Sequence, residues 1–168
     1  PEQPPLYPDM TPEEYLTFVG RAKGLRGAEL HEEIEYVMDA TCIGGMRSRL
    51  IKNLSKGYKQ RVGLAQALVG NPEVVILDEP TVGLDPAQVI EIRKLIRELG
   101  RAHTVILSSH ILSEVQAVCQ QILILSKGHL AAAGSLEELT ADGKSLEEVF
   151  LELTDGEPEE ATGEEDAE

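Results

Sequence analysis

Two adjacent carboxylates and a histidine follow two short apolar runs of this sequence. Asp78 and Glu79 come directly after VVIL, and His110 ends the run TVILSSH. Ligands of parallel α/β sheets gather beyond the carboxyl ends of the strands, so these side chains are expected to reach one ligand. One carboxylate can bind a magnesium ion while the next orients or deprotonates an attacking water. Acids at a strand end also cap loops, and a lone histidine can be structural, so the pattern alone permits both interpretations.

A second candidate site begins at LSKGYKQR, residues 54–61. Ser55 and Gly57 stand at the start of a predicted helix, where exposed amide groups and the helix dipole favour a phosphate. The alternative is that Ser55 is an ordinary helix cap. Asp85 is predicted to cap the next helix with Gln88 as its capping-box partner, and any catalytic role for Asp85 would be additional.

The spacing of apolar residues predicts the elements that must position these side chains. The segment 74–108 reads strand, helix, strand, which predicts a parallel pair. Both strands are apolar throughout, which predicts burial on both faces. Capping boxes at Thr11, Ser135 and Ser145 predict three helix starts. Helices are predicted over about 12–23, 28–40, 56–69, 86–99, 111–119, 136–140 and 146–153, and strands over 74–77, 104–108, 121–125 and 129–134, with a loop at 41–54.

Composition narrows the class of protein. The 168 residues are 42% hydrophobic, so a packed core is expected, and with 4% aromatics and no tryptophan that core must be aliphatic. The net charge of −15 disfavours nonspecific binding to nucleic acid. Residues 155–168 hold eight acids and no base, which predicts a disordered tail. Cys42 and Cys119 are far apart, which favours a reduced, intracellular protein, and no apolar run is long enough to span a bilayer.

Four motifs, taken in order, resemble the nucleotide-binding subunits of ABC transporters. LSKGY resembles the ABC signature, VVILDE the Walker B strand with its glutamate, and GLDP the D-loop. His110 stands where the family has its switch histidine. The resemblance covers roughly residues 1–153.

The signature segment, residues 54–58, departs from the common family pattern at two positions. Lys56 stands where the family often has glycine, and Tyr58 where it often has glutamine. These variants, and the ending SLEEVFLELT, resemble a subgroup whose membrane partners are of the ABC-2 export type. Ser55 and Gly57, the residues that would touch phosphate, are kept.

The first residues, PEQPPLYPDMT, resemble the Q-loop, which links the ATP site of the family to the membrane subunit. Gln3 matches the Q-loop glutamine chemically, but the proline spacing suits Glu2 equally well, so both stay candidates. The predicted organisation is a Q-loop region at 1–10, a helical subdomain with the signature at 11–70, a partial RecA-like α/β core at 71–135, C-terminal helices at 136–153 and a disordered acidic tail at 154–168.

The resemblance implies the α/β fold of a P-loop NTPase fragment, with a helical subdomain, part of a parallel-sheet core, a C-terminal hairpin and short helices. It implies ATP hydrolysis with Mg²⁺ by two copies paired head to tail around two ATP molecules. The resemblance implies that Asp78 binds magnesium, Glu79 orients the attacking water and His110 contacts the γ-phosphate. It implies that Asp85 acts across the dimer seam. The signature residues would bind the ATP held by the opposite copy; they are Ser55, Lys56, Gly57 and Tyr58.

The resemblance also implies partners and a location. An ABC-2-type integral membrane subunit would contact the helical part, about 11–53, and the Q-loop. The chain would then be cytoplasmic and peripheral on the inner face of the cell membrane, with no nucleic-acid partner.

The phosphate-loop pattern G-x-x-x-x-G-K-[ST] does not occur in the printed sequence. In the family this loop precedes the Q-loop, so the sequence is expected to be part of something longer. The strand at 104–108 is expected to have an open edge, and these residues alone are expected to bind ATP weakly or not at all. A non-hydrolytic interaction fragment and a soluble ABC ATPase unconnected with transport are the alternative functions.

Overall fold

A computed structural model describes residues 1–154 of the protein. The chain forms two compact units, one of residues 1–118 and one that begins at Cys119. The acidic tail predicted over 154–168 lies outside the described residues, apart from Thr154, which ends a helix.

The described residues form a mixed α/β structure with every helix and strand that the apolar spacing predicts. Each end lies within one residue of its predicted position, and the predicted loop at 41–54 contains two short 3-10 helices, Gly44–Met46 and Ile51–Asn53. The helices are α1 (Pro12–Ala22), α2 (Gly27–Ala40), α3 (Lys56–Leu68), α4 (Pro86–Leu99), α5 (Leu112–Val118), α6 (Leu136–Leu139) and α7 (Leu146–Thr154), and the strands are β1 (Val74–Asp78), β2 (Thr104–Ser108), β3 (Ile122–Ser126) and β4 (His129–Gly134).

Helices α1, α2 and α3 pack against one another in the first unit. The capping box predicted at Thr11 is present: its hydroxyl accepts from the amide of Glu14 and its amide donates to the Glu14 carboxylate. The apolar face of α2 is buried, as is the interior side of α3. These faces join the aliphatic core that also receives β1 and α4.

Strands β1 and β2 pair in parallel, as predicted, with α4 as the connection between them. The register places Val74 opposite Thr104 and Asp78 opposite Ser108. The carboxyl ends of both strands therefore meet at one edge, where Glu79 and His110 follow.

The prediction that both strands are buried on both faces is wrong. Val75 and Leu77 are buried in the core, but Ile76 is 68% exposed on the opposite face of β1 and Ile106 is 50% exposed on β2. The cause is that the described residues of the chain cover only one face of this two-stranded sheet.

The second unit contains the predicted hairpin. β3 and β4 are antiparallel and joined through Lys127 and Gly128, both with positive φ, as a two-residue hairpin turn requires. A bulge interrupts the register between Ile124 and Leu125. The predicted capping boxes at Ser135 and Ser145 are both present at the starts of α6 and α7 (Ser135 and Ser145 each exchange bonds with the glutamate three residues later).

The helices within residues 1–154 include none with the length and apolar character needed to cross a membrane.

We predict that Gly63→Ala destabilises the first unit. A Cβ at this position of α3 would lie 2.6 Å from the ring of Pro4, which cannot move without displacing the 1–10 segment. Such overpacking costs about 1–3 kcal/mol, more than the roughly 1 kcal/mol that alanine gains over glycine in a helix. Thermal unfolding of the two proteins measures the loss, and Gly45→Ala, where a Cβ meets open space, is the matched control. An unchanged melting temperature for Gly63→Ala would contradict the packing described.

Candidate functional site

The edge formed by the carboxyl ends of β1 and β2 holds a group of polar side chains, here called the strand-end cluster, which comprises Asp78, Glu79, Ser108, Ser109 and His110. Asp78 is exposed, and its Oδ1 accepts a hydrogen bond of 2.6 Å from the hydroxyl of Ser108 on the neighbouring strand. The strand register makes this contact, because these two residues are directly opposite each other.

Glu79 turns away from the line of β1. Its φ of +46° lies in the left-handed region, and its amide still donates to the carbonyl of Ser108 at 3.1 Å. Its Oε1 accepts from the amide of His110 at 2.9 Å and from the His110 ring at 2.8 Å. The Ser109 hydroxyl lies 3.4 Å from Oε2. The backbone and two side chains of the second strand end thus hold the carboxylate in one orientation.

The imidazole of His110 is paired with Glu79 at a largely exposed position, with 72% of its side chain accessible. Because a carboxylate can only accept, Nδ1 carries the proton in this contact. The hydrogen bond with Glu79 and the charge of that carboxylate raise the pKa of His110 above its ordinary value, and the charges of Glu114 and Glu2 act in the same direction. Nε2 has no partner among the described residues, so it is available to a ligand.

Asp78 has the chemistry to contribute to a magnesium site. Mg²⁺ prefers oxygen ligands and usually takes one or two carboxylates, with waters and substrate phosphates in the remaining positions. Ser108 occupies one carboxylate oxygen of Asp78 and leaves the other without a protein partner among residues 1–154. Those residues contain no group of three or more acidic, histidine or cysteine side chains that could hold a metal ion. The donor set therefore fits a metal that is shared with a phosphate ligand.

The signature segment begins α3 and rests against the start of α4. Ser55 is the exposed N-cap of α3, and its hydroxyl accepts from the amide of Tyr58 at 3.4 Å. Gly57 is buried, and a Cβ there would lie 2.8 Å from the side-chain carboxamide carbon of Gln88. Glycine at this position therefore lets the flexible Gln88 side chain pack closely against the start of α3.

Asp85 caps α4 as predicted, since its Oδ1 accepts from the amide of Gln88 at 3.0 Å. The reciprocal half of the predicted capping box is absent, because the Gln88 side chain is occupied beside Gly57. Lys56 extends its ammonium group over Gly83, whose φ is +69°. The signature segment and the loop before α4 are therefore in contact.

The structure thus forms two groups from the predicted residues. Asp78, Glu79 and His110 share the strand-end cluster, whereas the signature segment and Asp85 lie together at the starts of α3 and α4. Within residues 1–154, no hydrogen bond or ion pair joins Ser55 or Lys56 to the cluster. Tyr58 is half-buried against the core.

The first residues run along α3 towards the end of β1. A cavity of about 130 Å³ lies there and is lined by residues of the 1–5 segment, α3 and β1, Asp78 included. Tyr15 holds the segment by donating to the carbonyl of Pro5 at 3.1 Å. Glu2 and Gln3 are both exposed, and the charge of Glu2 contributes to the raised pKa of His110. Gln3 is neutral and has no such effect, so Glu2 and Gln3 both stay candidates for the Q-loop position.

Sequence reasoning missed the residues that hold the site in place. The predicted site residues do not include Ser108, Ser109, Thr81 or Glu114. Glu114 is 4% exposed and accepts a hydrogen bond from Thr81. No local pattern signals this contact, because Thr81 and Glu114 are 33 residues apart in the chain.

Comparisons with known proteins find a matching family model and similar sequences. A family model described as ABC transporter matches residues 1–82. The uncharacterized ABC transporter ATP-binding protein YxlF of Bacillus subtilis (strain 168) is 38% identical over 139 residues, which are 83% of this chain and 47% of YxlF.

Two solved structures have a similar fold. One, described as the ATP binding subunit of an ABC transporter, has a TM-score of 0.75 and 32% identity over 91% of this chain and 66% of that chain. The other is cbiO1 from Clostridium perfringens, described as part of the ABC transporter complex cbiONQ. It has a TM-score of 0.77 and 29% identity over 89% of this chain and 61% of that chain. The chain spans about half the length of the curated relatives it matches.

We predict that Glu79→Gln lowers the pKa of His110, because it removes the charge that favours the imidazolium ion. An NMR titration of the His110 ring measures the change. Glu91→Gln removes the same charge from α4, where the carboxylate is paired with Arg61, and serves as the matched control. A His110 pKa that is the same in wild type and Glu79→Gln would refute the pairing.

The same pair has a defined pH dependence. A histidine whose pKa is raised on folding stabilises the fold fully below its unfolded pKa of about 6.5, and the contribution is lost as the pH rises through the raised value. The difference in free energy of unfolding between wild type and Glu79→Gln, measured with urea, is therefore expected to shrink as the pH rises from about 6.5 through the raised pKa of His110. A constant difference at all pH values would contradict this.

Proposed function

Because the chain belongs to the ABC transporter ATP-binding domain family and has the fold of its ATPase subunits, we propose that it forms part of a subunit that hydrolyses ATP to drive export. The observation that carries this proposal is the pairing of Glu79 with His110 beside Asp78, at the carboxyl ends of two parallel strands. Such an edge is where α/β sheets bind nucleotides. The proposal assigns Glu79 as the group that orients the attacking water.

Glu79 is suited to this role by the way it is held. Oε1 is engaged by the amide and ring of His110, whereas Oε2 has only the 3.4 Å contact with Ser109. The second oxygen is therefore the one free to accept a hydrogen bond from a water. Phosphoryl transfer depends mainly on positioning and charge stabilisation, so a carboxylate with a constrained orientation suits the task.

His110 is suited to contact the γ-phosphate. Its raised pKa increases the fraction of imidazolium, in which Nε2 is a donor because Nδ1 already donates to Glu79. A charged donor strengthens a hydrogen bond to a phosphate oxygen. The Glu79 carboxylate therefore favours the ionisation state of His110 in which Nε2 can donate to a phosphate.

Asp78 would be the protein ligand of Mg²⁺. When bound, the ion would neutralise phosphate charge as it develops. Ser108 restrains one carboxylate oxygen and thereby orients the other towards solvent or ligand.

A second copy of the chain would complete the ATP site. The signature residues Ser55, Lys56, Gly57 and Tyr58 would contact the ATP held by the opposite copy, and Asp85 would act across the seam. The exposed start of α3 supports this role, because free amide groups and the positive helix end favour phosphate. Contact between Lys56 and Gly83 would let the signature and the Asp85 loop move together.

The membrane partner would be an integral subunit of the ABC-2 export type. The description of cbiO1 as part of a transporter complex supports such an assembly. The helical part at about 11–53 and the Q-loop region at 1–10, with Glu2 or Gln3, would make the contact. The subunit would be cytoplasmic and peripheral on the inner face of the membrane.

Glu79→Gln in the complete gene product is expected to lower ATP turnover by at least about 100-fold, the size of a lost general base, with little effect on ATP affinity. Turnover is measured by phosphate release and affinity by equilibrium binding of a labelled ATP analogue. Glu32→Gln, an exposed position of α2, is the matched control. Normal turnover in Glu79→Gln would remove the proposed function, and lost ATP binding would assign Glu79 a different role.

The 168 residues alone are expected to show no ATP turnover, because the phosphate-loop pattern does not occur among them. The comparison is with the complete gene product, assayed at equal concentration. Turnover at the full rate by the 168-residue chain would contradict this expectation. Absence of turnover in both proteins would favour the non-hydrolytic interaction function.

A further inference from the structure

One buried carboxylate connects three segments of the first unit. Glu114 in α5 is 4% exposed, and its Oε2 accepts a hydrogen bond from the hydroxyl of Thr81, which is equally buried. Its Oε1 lies 3.2 Å from a terminal nitrogen of Arg93 in α4. The proposed chemistry uses none of these three side chains.

The three segments are those that carry the proposed site residues. Thr81 lies in the loop between Glu79 and Asp85, and the amides of Val82 and Leu84 fold that loop by donating to the carbonyls of Glu79 and Thr81, each at 3.2 Å. Asp85 caps the helix that carries Arg93. Glu114 lies four residues after His110, in the helix that follows it.

Stability alone is a weak reason for this arrangement. Removing two charges from water is costly, and buried ion pairs are often no more stable than apolar side chains of similar volume. Here the cost is raised because Nε of Arg93 is buried without a hydrogen-bond partner. A buried polar group that connects three segments does, however, define how those segments meet, since other arrangements leave a charge unpaired.

We propose that Glu114 is a positioning residue that holds the loop 79–85 against α5, so that Glu79 and His110 keep the geometry of their pair. Thr81 transmits the constraint to Glu79, two residues earlier, and the start of α5 transmits it to His110. This inference rests on the proposed function for its effect on turnover, but not for its effect on the loop.

The test is a Thr81→Val variant of the complete gene product, which removes the hydroxyl with little change of shape or charge. We expect kcat to fall about tenfold or more, because small displacements of catalytic groups are costly, while the KM for ATP stays near the wild-type value. Thr81→Ser keeps the donor and is expected to restore kcat. Thr41→Val is the matched control, because Thr41 is also fully buried but bonds to the carbonyl of Val37 within the helical part.

Hydrogen exchange provides a readout that is independent of activity. We expect faster exchange in the peptide that contains Val82 and Leu84 for both Thr81→Val and Glu114→Gln, and unchanged exchange there for Thr41→Val. The double variant Thr81→Val/Glu114→Gln is expected to hydrolyse ATP no more slowly than Glu114→Gln alone, because both changes disrupt the same hydrogen bond between Thr81 and Glu114.

Three results would overturn the inference: unchanged exchange in this loop for Thr81→Val, equal loss of kcat in Thr41→Val, or failure of Thr81→Ser to restore kcat. If Glu79→Gln hydrolyses ATP normally, the proposed function falls instead, and the exchange result still decides whether Glu114 holds the loop.

Discussion

The parallel pairing of β1 and β2 is the constraint on which the rest of the site depends. Backbone hydrogen bonds place Asp78 opposite Ser108, so the next residues of both strands leave the sheet at one edge. There the left-handed conformation of Glu79 turns its carboxylate back towards the second strand end, where the amide and ring of His110 receive it. A shift of one residue in register would separate these groups and send each side chain to the opposite face.

Charge and conformation reinforce each other at this edge. A non-glycine residue in the left-handed region is uncommon and is retained where the surroundings require it. At Glu79 these surroundings are three donors from residues 109–110. Glu79 and His110 therefore orient each other, and the carboxylate also raises the pKa of the imidazole.

The start of α3 and the loop before α4 are in contact, and each contains a glycine at that contact. Glycine at position 57 resembles a phosphate-binding residue of the family, and it also lets the Gln88 side chain pack closely against the start of α3. Gly83, in the loop before Asp85, has a left-handed φ of +69°, and the Lys56 side chain lies over it. Packing within the chain thus links the two motifs, so a change in one is expected to be felt by the other.

The local features of this protein can be predicted from its sequence. Apolar periodicity and capping residues such as Thr11 and Ser145 placed each helix and strand to within one residue, because these signals act over one or two turns. Motif order likewise predicted that Asp78, Glu79 and His110 would lie together at the strand ends, as the structure shows. Three other features are visible only in the folded chain. Ile76 and Ile106 face outward. Gln88 lies against Gly57 instead of closing its capping box, and Glu114 contacts both Thr81 and Arg93. These features depend on contacts between residues distant in the chain, which no local pattern encodes.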